Sequence, residues 1–536
     1  MDTSLFGTPK RFFNTAGPVD CDINYCLPAL ERFDLNEILA LIQQRRYFIL
    51  HAPRQTGKTT YLKALAKHLN ESGYYHCLYV NVEAGQAARG KVHDALQFIL
   101  GEIAFEAMNN LQDTYLDSIW QHSLERRGAY GALNDMLSRW SSHTPKPIVL
   151  FMDEIDALIG DTLISVLRQL RSGYDKRPEG FPQSIILCGV RDVRDYRIFS
   201  DEQQAMILGG SAFNIKAESL RLSNFTQQEI ATLYQQHTDT TGQRFAPGVI
   251  EMVWELTQGQ PWLVNALAYE ACFKIGKDHA QPITTEIIHE AKEHLILRRD
   301  THLDQLTHKL TEERVQRVLV PLLQGESLYD YGATEPDIEY LVDLGLVRRS
   351  GTGIVIANAI YQEVIPRELT SITQLSLEST IRPAWYIAPD GSLDMHKLLT
   401  AFQAFFREHS EHWEDRFRYK EAGPQLLLQA FLQRIVNGGG RIEREYGLGR
   451  KRTDLLIVWR VGNETQRVVI EIKIQHKSRE KTIAQGLPQT WEYMDKCGTT
   501  SGHLIIFDRT VGKPWEEKIY TRVEHYNGHE IVVWGV

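Results

Sequence analysis

Tyr47-Phe-Ile-Leu50, His51, then Ala52-Pro53-Arg54-Gln55-Thr56-Gly57-Lys58-Thr59-Thr60 is the stretch that decides the fold of this 536-residue chain. A short apolar run reads as a buried strand, and a turn closing on Gly-Lys-Thr reads as the start of a helix. A loop between a strand and a helix N-terminus aims backbone N–H groups and the positive end of the helix dipole at one point, which suits a phosphate. Lys58 is then expected to reach the β and γ phosphates, and Thr59 to place its hydroxyl on Mg²⁺. Ala52 stands where this motif usually has Gly, a tolerable change if that residue keeps an ordinary backbone conformation.

Outward from the loop, three more short apolar runs follow: Cys77-Leu-Tyr-Val-Asn-Val82, Ile148-Val-Leu-Phe-Met152 and Ser184-Ile-Ile-Leu-Cys188. Helical patterns separate them, which predicts an α/β fold with a parallel sheet buried on both faces. The third run ends in Asp153-Glu154. Its carboxylates are expected at the C-terminal edge of the sheet, beside the phosphate loop, where open α/β sheets bind ligands. Asp153 suits Mg²⁺ held through water, and Glu154 suits a base for the attacking water. Arg191, just past the next strand, is placed to sense the γ phosphate.

Composition bounds the rest. With 43% apolar residues the chain can fill several cores, and a net charge of −9 confines any nucleic-acid contact to a local patch. No apolar run approaches the roughly 20 residues of a membrane helix, and the start lacks a secretory profile, so no membrane and a cytoplasmic location are expected. The six cysteines show no paired spacing. Cys21 and Cys26 are therefore expected as ordinary thiols.

These motifs resemble the AAA+ ATPases and their STAND-like relatives over about residues 20–300. Arg191 matches the arginine that often ends the sensor strand in the STAND branch, and Gly259-Gln-Pro261 matches the lid's Gly-x-Pro. The resemblance implies ATP as ligand, a nucleotide-driven switch, and adenine held near Asn14-Thr-Ala-Gly-Pro-Val19 and Tyr25. Ring-forming members take an arginine in trans, so a homo-oligomer is one expected assembly, with Arg168, Arg171 and Arg194 as candidates.

The domain reading is a P-loop ATPase core over 1–225, a helical lid over 226–300, and a winged-helix-like domain over 301–370. The last rests on helices leading through Leu341-Val-Asp-Leu-Gly-Leu-Val-Arg-Arg349 to a Ser-Gly-Thr-Gly turn and Ile354-Val-Ile-Ala. A Ser/Thr-rich linker (371–384) leads to the C-terminal part, 385–536.

That part carries a second constellation. Asp454 opens an apolar strand, Glu471-Ile-Lys473 closes another, and Gln489-Thr-Trp-Glu-Tyr493 sits on a predicted helix. Period-two alternation puts Glu471 and Lys473 on one strand face, and an antiparallel pairing would bring Asp454 to them. Two carboxylates can hold Mg²⁺ at a scissile phosphate, and a lysine can position water and offset developing charge. Gln489 and Tyr493 share a helix face.

The α-β-β-β-α-β order resembles the core of PD-(D/E)XK nucleases, with Gln-x3-Tyr as in the RecB-like branch. The resemblance implies a restriction-endonuclease-like fold, metal at Asp454 and Glu471, and catalysis by these two with Lys473, supported by Gln489 and Tyr493. Thr453 replaces the family's proline, and the helix carboxylate, at Glu421 or near Gln425, is not defined. Arg441, Arg444, Arg450, Lys451 and Arg452 precede Asp454, while Lys477, Arg479 and Lys481 follow Lys473. Both runs would border the cleft as phosphate contacts to DNA or RNA. The resulting expectation is an ATP-driven switch controlling a metal-dependent nuclease. Its alternative is a nucleotide-dependent scaffold whose nuclease-like domain binds nucleic acid or a partner without cutting.

Overall fold

The computed structural model describes residues 11–536 except 89–90, 193–196, 201–204, 209–212, 299–308, 311, 325–327, 329–331, 352, 370–385, 417–427, 429–430, 433–439, 446–453, 462–463, 476–477, 509 and 511–512. The chain divides into two compact units, Met1–His302 with Ile338–Ile360, and Leu303–Asp337 with Tyr361–Val536.

The first unit begins with α1 (Leu35–Gln43), β1 (Tyr47–His51), α2 (Lys58–Glu71) and β2 (His76–Asn81). Three helices follow, α3 (Val92–Leu111), α4 (Tyr115–Arg127) and α5 (Ala132–His143), and then β3 (Ile148–Asp153), α6 (Gly160–Ser172) and β4 (Ser184–Gly189). A hairpin, β5 (Arg197–Ser200) with β6 (Ala205–Leu208), precedes β7 (Lys216–Arg221). The main sheet has five strands in the order β2-β3-β4-β1-β7, all parallel.

Alternation along each strand divides the core. Tyr47, Ile49, Leu150 and Leu187 face α3, α5 and α6, while Phe48, Leu50, Phe151 and Ile186 face α1 and α2. All four strands read from the sequence are present. The fifth, β7, carries Glu218 exposed and Ser219 and Leu220 half-buried. An edge strand needs one covered side, so it lacks the continuous apolar run that marks its neighbours.

Next come α7 (Gln227–Thr241), α8 (Val249–Thr257), α9 (Pro261–Tyr269) and α10 (Thr285–Arg298). Thr226 and Glu229 form a capping box at the start of α7. Gly259 has φ +72°, and a Cβ there would lie 1.9 Å from the Phe225 carbonyl oxygen, so this turn requires glycine. The helices α11 (Glu313–Gln324) and α12 (Glu335–Asp343) then lead to a hairpin of β8 (Val347–Ser350) and β9 (Gly353–Ile356), followed by α13 (Ala359–Leu369).

Within the first unit the loop after α12 packs on the phosphate loop. Gly345 (φ +75°) approaches so closely that a Cβ would meet Pro53 Cγ at 2.8 Å. Arg221 donates to the Val342 carbonyl at 2.7 Å.

The second unit contains α14 (Met395–Arg416), β10 (Gly440–Glu445), β11 (Asp454–Val461), β12 (Glu464–Ile474), α15 (Arg479–Cys497), β13 (Gly502–Phe507), α16 (Trp515–Lys518), β14 (Tyr520–Tyr526) and β15 (His529–Gly535). Its six strands are ordered β10-β11-β12-β13-β15-β14. β12, β13 and β15 run parallel, while β10–β11, β11–β12 and β14–β15 pair antiparallel. Leu455, Ile457, Ile470 and Phe507 pack on α14, and Leu456, Val469, Leu504 and Ile506 pack on α15.

One expectation is corrected. Cys21 and Cys26 form a disulfide with Cα atoms 5.5 Å apart. The turn at Asp20–Asn24, held by the Asn24 amide on the Asp20 carbonyl at 2.7 Å, folds the intervening residues back and brings the two thiols together, which spacing alone does not reveal.

Candidate functional site

The loop joining β1 to α2 turns through Gln55 (φ 57°) and Gly57 (φ 93°). Ala52 is fully buried and takes no left-handed conformation, so its methyl is accommodated. Lys58 is 5% exposed, and its ammonium donates to the Ala52 carbonyl at 3.0 Å and the Pro53 carbonyl at 3.1 Å. The Thr56 hydroxyl also donates to the Pro53 carbonyl, at 2.8 Å. Arg54 and Gln55 are exposed.

Asp153 ends β3 fully buried. Its Oδ2 accepts from the Thr59 hydroxyl at 2.8 Å and from the Tyr79 hydroxyl at 2.9 Å, and its Oδ1 accepts from the Glu154 amide at 2.9 Å. Hydroxyl and carboxylate oxygens converging at a phosphate loop form a hard donor set, so Thr59 and Asp153 fit Mg²⁺. Glu154 takes a left-handed conformation, φ 58°, rare for a residue with a side chain and concentrated at functional sites. Burial raises its carboxyl above the ordinary value, with Asp156 and Asp153 adding to the shift against the pull of Lys58 and Arg54.

A cleft opens beside this loop. The segment Asn14–Val19 lines it, with Gly57, Thr60 and Tyr61 from the loop and α2, Phe225, and Trp262 and Asn265 from α9. The Val19 amide donates to the Thr60 hydroxyl at 3.1 Å, and the Trp262 indole donates to the Thr15 carbonyl at 2.8 Å. These bonds join the N-terminal segment to both α2 and α9. Tyr25, expected beside it, is instead core. It is 1% exposed, packs on the Phe13 ring at 4.8 Å, and its hydroxyl meets His237 Nδ1 at 3.2 Å. Its aromatic bulk is better buried between the N-terminal segment and α7 than held at an open cleft.

Arg191 places its guanidinium 4.7 Å from the centroid of the Tyr340 ring. Arg168 and Arg171 are exposed on α6, and Arg194 lies outside the described residues. Sequence reading missed Arg32, which lines the cleft, donates to the Thr56 carbonyl at 3.3 Å and lies 4.6 Å from the Phe225 ring. Burial draws its pKa down to about 10. It also missed Tyr79 and the His51–Asp343 pair, 3.6 Å apart at the foot of the loop.

In the second unit, the antiparallel register of β11 on β12 makes Asp454 the direct partner of Glu471. Glu471 is fully buried, and the Lys473 ammonium donates to its Oε1. Parity with Val469 puts Glu471 and Lys473 on the sheet face that α15 covers. Gln489 lies on α15 with its Oε1 buried and without a hydrogen-bond partner, and Tyr493 is 4% exposed in the packing of that helix. A buried carboxylate, its lysine and an unsatisfied amide oxygen on the covering helix are compatible with a bound divalent ion.

Arg479 lies 4.1 Å from the Tyr520 ring and donates to the Glu517 carbonyl, while Lys481 is exposed. The backbones of Arg441 and Arg444 lie on β10. Glu421, Gln425, Arg450, Lys451, Arg452, Thr453 and Lys477 lie outside the described residues.

A phosphate loop between the first strand and helix of a parallel sheet, with an acid-ended strand supplying a carboxylate to its threonine, defines a P-loop ATPase-like domain. The profile of the AAA-like domain family matches residues 30–366, more than half of the chain, and the chain belongs to that family. Among solved structures it is similar to a Walker-type ATPase of Pyrococcus abyssi, at 16% identity and TM-score 0.45, covering 63% of this chain and 96% of that one. The RuvB Holliday junction branch migration motor of Thermotoga maritima matches at 14% identity and TM-score 0.31, covering 61% and 90%. Cdc6p of Pyrobaculum aerophilum matches at 15% and 0.32, covering 65% and 95%. No curated protein matches the chain. No described helix is long and apolar enough to cross a membrane.

Proposed function

We propose that this protein is an ATP-hydrolysing AAA+/STAND-like switch whose nucleotide state controls a C-terminal metal-dependent nuclease acting on DNA. In this reading residues 1–225 form the ATPase core, 226–300 the lid, 301–370 a winged-helix-like domain and 385–536 the nuclease-like domain. The single observation that carries the nuclease half is the register pairing Asp454 with Glu471, two residues from Lys473 on the same strand.

At the nucleotide site, Lys58 leaves the loop carbonyls for the β and γ phosphates, and Thr59 and Asp153 hold Mg²⁺. Bound there, the ion offsets phosphate charge as it develops. Glu154, its carboxyl raised by burial, takes the proton of the attacking water. Arg191 senses the γ phosphate, and the Asn14–Val19 segment holds the adenine. At the second site Asp454 and Glu471 hold the metal, Lys473 positions water and offsets charge at the phosphodiester, and Gln489 and Tyr493 support them.

A non-cleaving scaffold is favoured by one observation, the Lys473 ammonium seated on the fully buried Glu471. Incubating duplex DNA with the protein and Mg²⁺, with and without ATP, separates the readings. Cleavage that changes with ATP and is lost in Asp454→Ala supports the nuclease. Binding without cleavage under every condition leaves the scaffold.

A further inference from the structure

The sequence-derived nucleotide site contains Thr59, Asp153 and Glu154 but leaves Tyr79 unused. Tyr79 lies on β2, in register with Phe151 and two residues before Asn81, which is the partner of Asp153. Parity puts it on the face of the sheet that α2 covers, among Cys77, Phe151 and Cys188. From there its phenol reaches along the strand to Asp153 Oδ2 at 2.9 Å, the same oxygen that takes the Thr59 hydroxyl at 2.8 Å.

We propose that Tyr79 is a positioning residue for the Asp153 carboxylate, fixing its orientation for Mg²⁺ at the nucleotide site. The inference rests on the reading of that site as one for ATP and Mg²⁺.

Three features support a role beyond packing. The Thr59 bond comes from the P-loop helix, and in this reading the same hydroxyl oxygen also serves the metal, whereas the Tyr79 bond comes from a neighbouring strand. With the Glu154 amide on Oδ1, both carboxylate oxygens are then held by donors outside the loop. The ring is itself tied to the P-loop helix, with the Lys63 ammonium 5.4 Å from its centroid. A phenylalanine would fill the same space without the desolvation cost of a hydroxyl. The hydroxyl's partner here is the metal-holding carboxylate, and partners of this outer kind typically change metal affinity by 10–100-fold when removed.

The test is the Mg²⁺ dependence of ATP binding by the full chain, read by titration calorimetry, with EDTA for the metal-free reference. Tyr79→Phe is expected to raise the half-saturating Mg²⁺ concentration by about 10-fold while leaving metal-free ATP affinity unchanged. Replacing Tyr79 with p-aminophenylalanine, which returns an N–H donor, is expected to restore the wild-type dependence. In an Asp153→Asn background, Tyr79→Phe is expected to add nothing. Unchanged Mg²⁺ dependence in folded Tyr79→Phe overturns the proposal, as does equal weakening with and without metal. If Tyr79→Phe does not fold, p-methylphenylalanine at position 79, which keeps the bulk of tyrosine but cannot donate, decides: a roughly 10-fold weaker Mg²⁺ dependence supports the proposal, and wild-type dependence overturns it. Mg²⁺-dependent binding by the wild type with an unaffected variant refutes the Tyr79 role alone. Wild-type protein that binds no ATP refutes the nucleotide site as well.

Discussion

Lys58→Ala probes the nucleotide site most directly, because the structure shows which bonds the ammonium would give up and the proposed function says what it would gain. Without nucleotide the Lys58 ammonium is nearly buried, with its hydrogen bonds directed at the carbonyls of Ala52 and Pro53. Among the described residues no carboxylate comes within 4.0 Å of it to form an ion pair. Binding replaces two neutral acceptors by phosphate oxygens. A unit charge pair at 4 Å and an effective dielectric of 20 is worth about 4 kcal/mol, and the two carbonyl bonds given up are worth about 1 kcal/mol each. The net contribution of Lys58 to affinity is therefore about 2 kcal/mol, or roughly 30-fold in Kd. Titrating wild type and Lys58→Ala with a fluorescent ATP analogue at fixed Mg²⁺ and salt reads this ratio. A dissociation constant within about twofold of wild type, roughly 0.4 kcal/mol, would refute the assignment of Lys58 to the phosphates.

Other consequences are as direct. Glu154→Gln is expected to cut ATP turnover by about 100-fold or more while ATP binding persists. Since burial raises the Glu154 carboxyl, wild-type turnover should fall with acidification at a pH above the ordinary carboxylate range. The raised value also means that the ionised group opposes folding above that pH, so Glu154→Gln should melt higher at pH 7 by thermal denaturation. Glu471→Gln should abolish Mg²⁺-dependent DNA cleavage and leave gel-shift affinity for the same DNA unchanged; retained cleavage would remove Glu471 from the metal site. Asp508 is half of a separate acid-sensitive contact. Although burial raises its carboxyl, bonds from Lys513 and Thr510 outweigh it and draw the value from 3.8 to about 2. Its stabilisation, about 2 kcal/mol, should be fully present above pH 3.8 and be lost as pH falls through about 2. Urea denaturation of Asp508→Asn against wild type at pH 7 and pH 2 measures it.

Legibility in the sequence followed the range of the interaction. The strand, loop and helix around Lys58 were readable because a buried strand, a left-handed turn and a helix start are determined within about fifteen consecutive residues. The acid-ended β3 was readable for the same reason. The C-terminal hairpin was equally local yet overlooked. Tyr526-Asn527-Gly528-His529 carries Asn-Gly between two strands, with both central residues at positive φ, 48° and 81°, the turn that hairpin twist demands. The edge strand β7 gave no such signal, because its exposed positions carry polar residues.

By itself the sequence determined a parallel α/β sheet with a phosphate loop, the carboxylate that Thr59 would meet, and the order of strands that carries Asp454, Glu471 and Lys473. Only the tertiary structure decided which side chains complete these sites. Tyr79 reaches Asp153 across 74 residues, Val19 reaches Thr60 across 41, and Trp262 reaches Thr15 across 247. It also sent Tyr25 into the core and joined Cys21 to Cys26. Period-two and period-3.6 patterns specify which face of an element is buried. They do not specify which distant donor a buried carboxylate will find, since that depends on strand order and on the requirement that each buried polar group be satisfied.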